Sequence, residues 1–207
     1  MTTIPDVTAR DNPVRFERLP DLSTLRSRVA LDLVVNTIFR SRVPGERRSE
    51  TLVIGFVRLV DKAVQEYEAA RGMLDSYHST RPRAFSFLLR AVGHMESCLS
   101  AVARAVRFVD ALRSSKGGPK IPKTLSCLSS SAKARIQGIR DAMEHMEERV
   151  LKDRMASGEA VALVLEGGHV ELATERISFV ELSTWLKQLN NLAVTLASTP
   201  EFRHHDA

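Results

Sequence analysis

The chain has 207 residues, of which 43% are apolar, enough to build one domain with a full core and to exclude disorder throughout. Aromatic residues make up only 5% while Leu, Val and Ala abound, a balance that favours helices packed by aliphatic side chains over a β-sandwich. The net charge of +5 modestly favours an anionic partner such as nucleic acid without establishing one.

No apolar run approaches the roughly 20 residues needed to cross a bilayer. The opening stretch Met1–Pro13 has neither the basic start nor the apolar core of a signal peptide, so a cytoplasmic protein without membrane contact is expected. Cys98 and Cys127 belong to no Cys-x-x-Cys or Cys/His cluster, which predicts two free thiols, no metal centre and no cofactor.

In chain order, residues 1–22 carry three prolines and no sustained period, and read as a flexible N-terminal arm. A domain spanning 23–197 follows, mainly all-α: an antiparallel bundle of about five helices with one β-hairpin between the last two. The first helix is predicted over Leu25–Phe39 and is closed by Pro44-Gly45. The second spans roughly Ser49–Tyr77, where Val53, Phe56, Val60, Ala63, Tyr67, Ala70 and Leu74 alternate spacings of three and four. A third, about Arg83–Ser114, repeats the rule from Phe85 through Leu88, Val92, Met95, Leu99, Val102 and Val106 to Val109. Glycines and prolines then break the pattern. A fourth helix, about Ser129–Arg154, runs its seam through Ala132, Ile136, Ile139, Met143, Met146 and Val150.

The period next changes to short β-prone runs flanking Gly167-Gly168, which predicts a hairpin at about 160–173. Ser178 and Glu181 then form a capping box for a last helix lined by Leu182, Trp185, Leu189, Leu192 and Leu196. Residues 198–207 are expected to fray, and the paired histidines of that tail lack the companions of a metal site.

The most specific chemical signal is Arg140-Asp141-Ala142-Met143-Glu144-His145, an arginine and a histidine framing four residues in the fourth helix. It resembles the Arg-x4–6-His motif of the HEPN superfamily, the higher eukaryote and prokaryote nucleotide-binding domains. That resemblance implies a helical bundle that dimerises, brings two motifs into one cleft and cleaves RNA there without metal. Asp141 stands where a polar residue, more commonly Asn, follows the arginine. In such a site His145 would transfer protons, an imidazole being able to titrate near neutral pH, and Arg140 would stabilise charge on the phosphate. Asp141, four residues before His145 and on its face, would orient the ring. A toxin or defence component with a cognate antitoxin is the corresponding biological expectation.

Helical geometry bears on this independently. Residues five apart differ by about 140° around the axis, so Arg140 and His145 cannot converge on one atom from a single helix, and a homodimer is expected to complete the site. The competing reading is that Arg140 with Glu144, and Asp141 with His145, are i,i+4 pairs on a solvated face, in a non-catalytic bundle that binds a protein or nucleic-acid partner.

A second feature is the stripe of Arg83, Arg90, Ser97 and Arg104, seven residues apart and opposite the apolar seam, with His94 beside it. Arg83, Arg90, Arg104 and His94 are the predicted nucleic-acid contacts, although such a stripe also serves as plain surface. Arg40, Arg42, Arg47 and Arg48 form a weaker basic cluster. The repeated tripeptides His94-Met95-Glu96 and His145-Met146-Glu147 lack the Glu-x-x-His spacing of bundle metal centres. Phosphate loops, dinucleotide fingerprints and serine nucleophile elbows are absent.

Overall fold

The structure, a computed structural model, describes residues 18–25, 47–80, 84–114, 121, 128–154 and 160–198. Among these it is mainly helical, with a small antiparallel sheet. A 3₁₀ turn at Ser23–Leu25 precedes α1 (Arg47–Ser79), α2 (Phe85–Ser114) and α3 (Ser130–Leu151). Strands β1 (Ala160–Glu166), β2 (His169–Ala173) and β3 (Glu175–Ser178) lead into α4 (Phe179–Ser198). Four α-helices are thus described; the predicted helix over Leu25–Phe39 lies almost wholly outside the described residues, as do Cys127 and most of the arm and tail.

The helix ends follow local chemistry. Ser129 caps α3, its hydroxyl accepting the Ala132 amide at 3.1 Å. The capping box of α4 also forms: Ser178 Oγ accepts the Glu181 amide at 3.1 Å, and Glu181 Oε2 accepts the Ser178 amide at 3.2 Å. At the other end of α3, the amides of Asp153 and Arg154 bond back to the carbonyls of Val150 and Arg149, with Asp153 at φ 51°. That left-handed close is a Schellman motif built on Asp instead of glycine.

Helices α1 and α2 run antiparallel and share the main seam. All seven apolar positions expected on α1 are buried, and those on α2 are buried from Met95 onward. Gly55 sets how near the two helices come, because a Cβ there would lie 2.3 Å from the Phe108 ring. The other end of α2 departs from expectation, with Phe85 61% exposed and Leu88 and Val92 only partly covered. Helix α4 packs on α1, while α3 packs on α2 and crosses all three strands.

The predicted hairpin is one half of a three-stranded meander in the order β1-β2-β3. Leu165 pairs with Val170 and Val170 with Ile177, all three buried, while Glu171 pairs with Arg176 on the other face. The added strand follows a tight turn in which Ala173 takes φ 53°. The amide of Phe179 donates to Gly168 O at 2.8 Å and ties the start of α4 to the first hairpin turn.

The end of the N-terminal segment is fastened to α1. Leu19 and Leu22 are buried, and the Leu22 amide donates to Glu68 Oε1 at 2.7 Å. Glu68, itself buried, also accepts Nε and Nη2 of Arg71 at 3.1 and 2.8 Å, and Arg71 reaches Asp21 at 3.3 Å. A buried carboxylate is tolerated here because an amide and a guanidinium satisfy it together.

Candidate functional site

The Arg140–His145 motif lies on α3 just where the helix emerges from the core. Ala132, Ile136, Ile139 and Ala142 are buried, but Met143 and Met146 are only partly covered, and Val150 and Leu151 are 52% and 85% exposed. The predicted seam therefore continues past the point where the described bundle can cover it. Arg140 lies against the bundle flank with its side chain 17% exposed, and His145 points outward at 62%. One α3 does not bring the two groups together, as the helical geometry required.

Their neighbours are mostly on the same helix. Arg140 forks onto Glu144 one turn later and has the Asp141 carboxylate at 4.0 Å. Asp141 accepts Gln137 Nε2 at 2.6 Å and is not beside the imidazole. The carboxylate next to His145 is Glu148, at 3.7 Å from Nδ1, and Glu148 also pairs with Lys152. The carboxylate within ion-pair distance of the imidazole is thus Glu148 and not Asp141. The reason is that Gln137 and His145 both lie one turn from Asp141, and the amide is the group it engages. Of the two i,i+4 pairs anticipated, Arg140–Glu144 is present.

The basic stripe is only partly realised. Arg83 lies outside the described residues, whereas Arg90 and Arg104 are exposed on α2. His94 turns toward α1 instead, its Nδ1 2.8 Å from Glu66 Oε2, in an interhelical pair. Arg40 and Arg42 lie outside the described residues, and Arg47 and Arg48 fall in the first turn of α1. Among the described residues no group of three or more His, Cys, Asp or Glu side chains is placed to hold a metal ion, and no helix is long and apolar enough to cross a membrane. Cys98 is fully buried in α2, and that burial pushes its thiol up, away from the reactive thiolate.

Sequence reasoning missed a groove of about 220 Å³ between α1 and α2, beside Arg104. Lys62 from α1 and Glu96, Ser97, Ser100 and Arg104 from α2 line it. Its only forewarning was Ser97 and Arg104 in the stripe, because joining them to Lys62 requires the register between the two helices. Compared with family models, with curated proteins and with solved structures, the chain finds no match in any of the three.

Proposed function

We propose that the chain is a HEPN-like, metal-independent endoribonuclease that works as a homodimer, with Arg140 and His145 of two copies facing one cleft. The observation that carries the reading is the coincidence on α3 of an outward imidazole, a flanking guanidinium and an apolar seam left open at Val150 and Leu151. An open seam on the helix that bears the motif is what a second copy would cover.

The charge order of α3 supports that partner. About a two-fold axis between Met146 and Glu147, antiparallel copies set Asp141 level with Lys152, Glu144 with Arg149, and His145 with Glu148, each opposite in sign when the imidazole is charged. Met143 falls level with Val150, so the same register joins apolar positions. In the cleft the 2′-hydroxyl would attack phosphorus as the P–O5′ bond breaks, with His145 moving the proton from the 2′-oxygen to the leaving 5′-oxygen, Glu148 holding the imidazole, and Arg140 swinging from Glu144 to the phosphate. A toxin or defence role, held in check by a cognate antitoxin, would suit such an activity.

The Arg140–Glu144 fork favours a second reading. An arginine already neutralised within its own turn is what a non-catalytic bundle carries on its surface, where it would bind a protein or nucleic-acid partner.

Arg140→Ala and His145→Ala decide between them. His145 is exposed and its truncation costs about a kcal/mol of stability or less, whereas the largely covered stem of Arg140 makes its truncation cost about 1–2 kcal/mol. Each variant is expected to abolish RNA cleavage that survives EDTA and leaves 2′,3′-cyclic phosphate ends. Wild-type cleavage by both folded variants would refute the nuclease and leave the binding module.

A further inference from the structure

The groove between α1 and α2 carries more unspent polarity than a surface needs. None of Lys62, Glu96, Ser97, Ser100 and Arg104 has a side-chain hydrogen-bond or ion-pair partner among the described residues. The two serines are the most telling. A serine in a helix can return its hydroxyl to a carbonyl one turn back, as Ser76, Ser79, Ser114 and Ser183 do near their helix ends. Ser97 and Ser100 do not, and their hydroxyls are left to the groove. Half-buried Glu96 likewise remains unpaired although two cations border the same space.

We propose that this groove is a sugar-phosphate subsite, in which Lys62 and Arg104 flank the phosphate, Ser97 and Ser100 donate to its oxygens, and Glu96 accepts a hydrogen bond from a sugar hydroxyl. Two cations from facing helices and two free hydroxyls are a phosphate's complement. A groove for inorganic phosphate alone would gain nothing from a carboxylate, whereas a hydroxyl donor beside the phosphate gives it a partner. Burial raises the Glu96 carboxyl above its ordinary value. At about 220 Å³ the space is smaller than pockets that enclose a whole drug-sized ligand, so it holds one sugar-phosphate unit with the base outside. The inference rests on the RNA-binding half of the reading above and is independent of Arg140 and His145.

The same chemistry arises from a strand of RNA or from a free ribonucleotide. Three probes separate the sources when titrated into the full chain: a single-stranded oligoribonucleotide, the oligodeoxyribonucleotide of the same sequence, and adenosine 5′-monophosphate. The wild type is expected to prefer the ribo strand by about tenfold, one hydrogen bond to a charged acceptor. Glu96→Met should erase that preference without weakening deoxy affinity. Lys62→Met with Arg104→Met should weaken both strands and reduce the salt slope by about 0.7, one phosphate contact on a single strand. Displacement of the strand by the mononucleotide at similar concentration assigns the groove to a free nucleotide; failure to displace it assigns the groove to the strand. Unchanged affinity, preference and salt slope in these variants would overturn the subsite and leave the nuclease standing. A wild type that binds none of the three probes would overturn both.

Discussion

Tyr67 stands in the middle of the α1 seam with its side chain fully buried and its hydroxyl without a partner among the described residues. Burial pushes the phenol well above its ordinary pKa, so the group stays neutral and its cost is that of a desolvated hydroxyl. Tyr67→Phe should therefore melt at or above the wild type, recovering part of the roughly 1–3 kcal/mol that an unsatisfied polar group costs. Calorimetry checks this, and a lower melting temperature would show that the hydroxyl has a partner outside the described residues. Glu181 behaves oppositely. Arg135 holds its carboxyl below the usual value with bonds of 2.7 and 3.3 Å; burial opposes this, and the Ser178 amide adds to it. A carboxyl with a lowered folded pKa stabilises the fold above its ordinary value of 4.5 and loses that contribution as pH falls through the lower folded value. Glu181→Gln should accordingly be less stable at pH 7, with the difference from wild type shrinking below about pH 4. Both partners are about a third exposed or more, so solvent screening keeps the gap under about 1 kcal/mol.

The first turn of the sheet depends on a conformation rather than a contact. Gly167 has φ +54°, and a Cβ added there would meet nothing within 4 Å. Gly167→Ala then pays only for the left-handed backbone, about 1–2 kcal/mol in denaturant unfolding. An unchanged midpoint would mean that the hairpin opens apart from the bundle. The same conformation explains what the sequence did not announce. Gly167-Gly168 signals its turn, but the next one is made by Ala173-Thr174, residues that mark no turn, and β3 is a four-residue run with polar Glu175, Arg176 and Ser178. The α1 seam was legible in full because it is flanked along its length. Periodicity also made Phe85 and Val150 look like core, since a repeat reports that a helix has an apolar face but not where its neighbour stops. On α3 the Arg140–Glu144 pair could be read from spacing. The His94–Glu66 pair and the groove of Lys62 with Arg104 could not, because they exist only once α1 and α2 are in register.

For the molecule as a whole, the open end of α3 leads to a statement about assembly. Val150 and Leu151 are too exposed to stabilise the described fold, so Val150→Glu with Leu151→Glu should leave melting of the monomer unchanged. The wild type is expected to sediment as a dimer at tens of micromolar, and the double variant as a monomer of 23.0 kDa. A wild type that stays monomeric at that concentration would remove the shared cleft, whatever the chemistry of Arg140 and His145.

The strap at Leu22 also imposes an order in time. Its amide is held by Glu68, 46 residues farther along the chain. At a synthesis rate of about 5–20 residues per second, roughly two to nine seconds separate the making of the two partners. During that interval the carboxylate that will hold the strap does not yet exist, and Leu19 and Leu22 have no α1 to bury them. A nascent chain halted before residue 68 would present both leucines to any chaperone within reach; a finished one hides them.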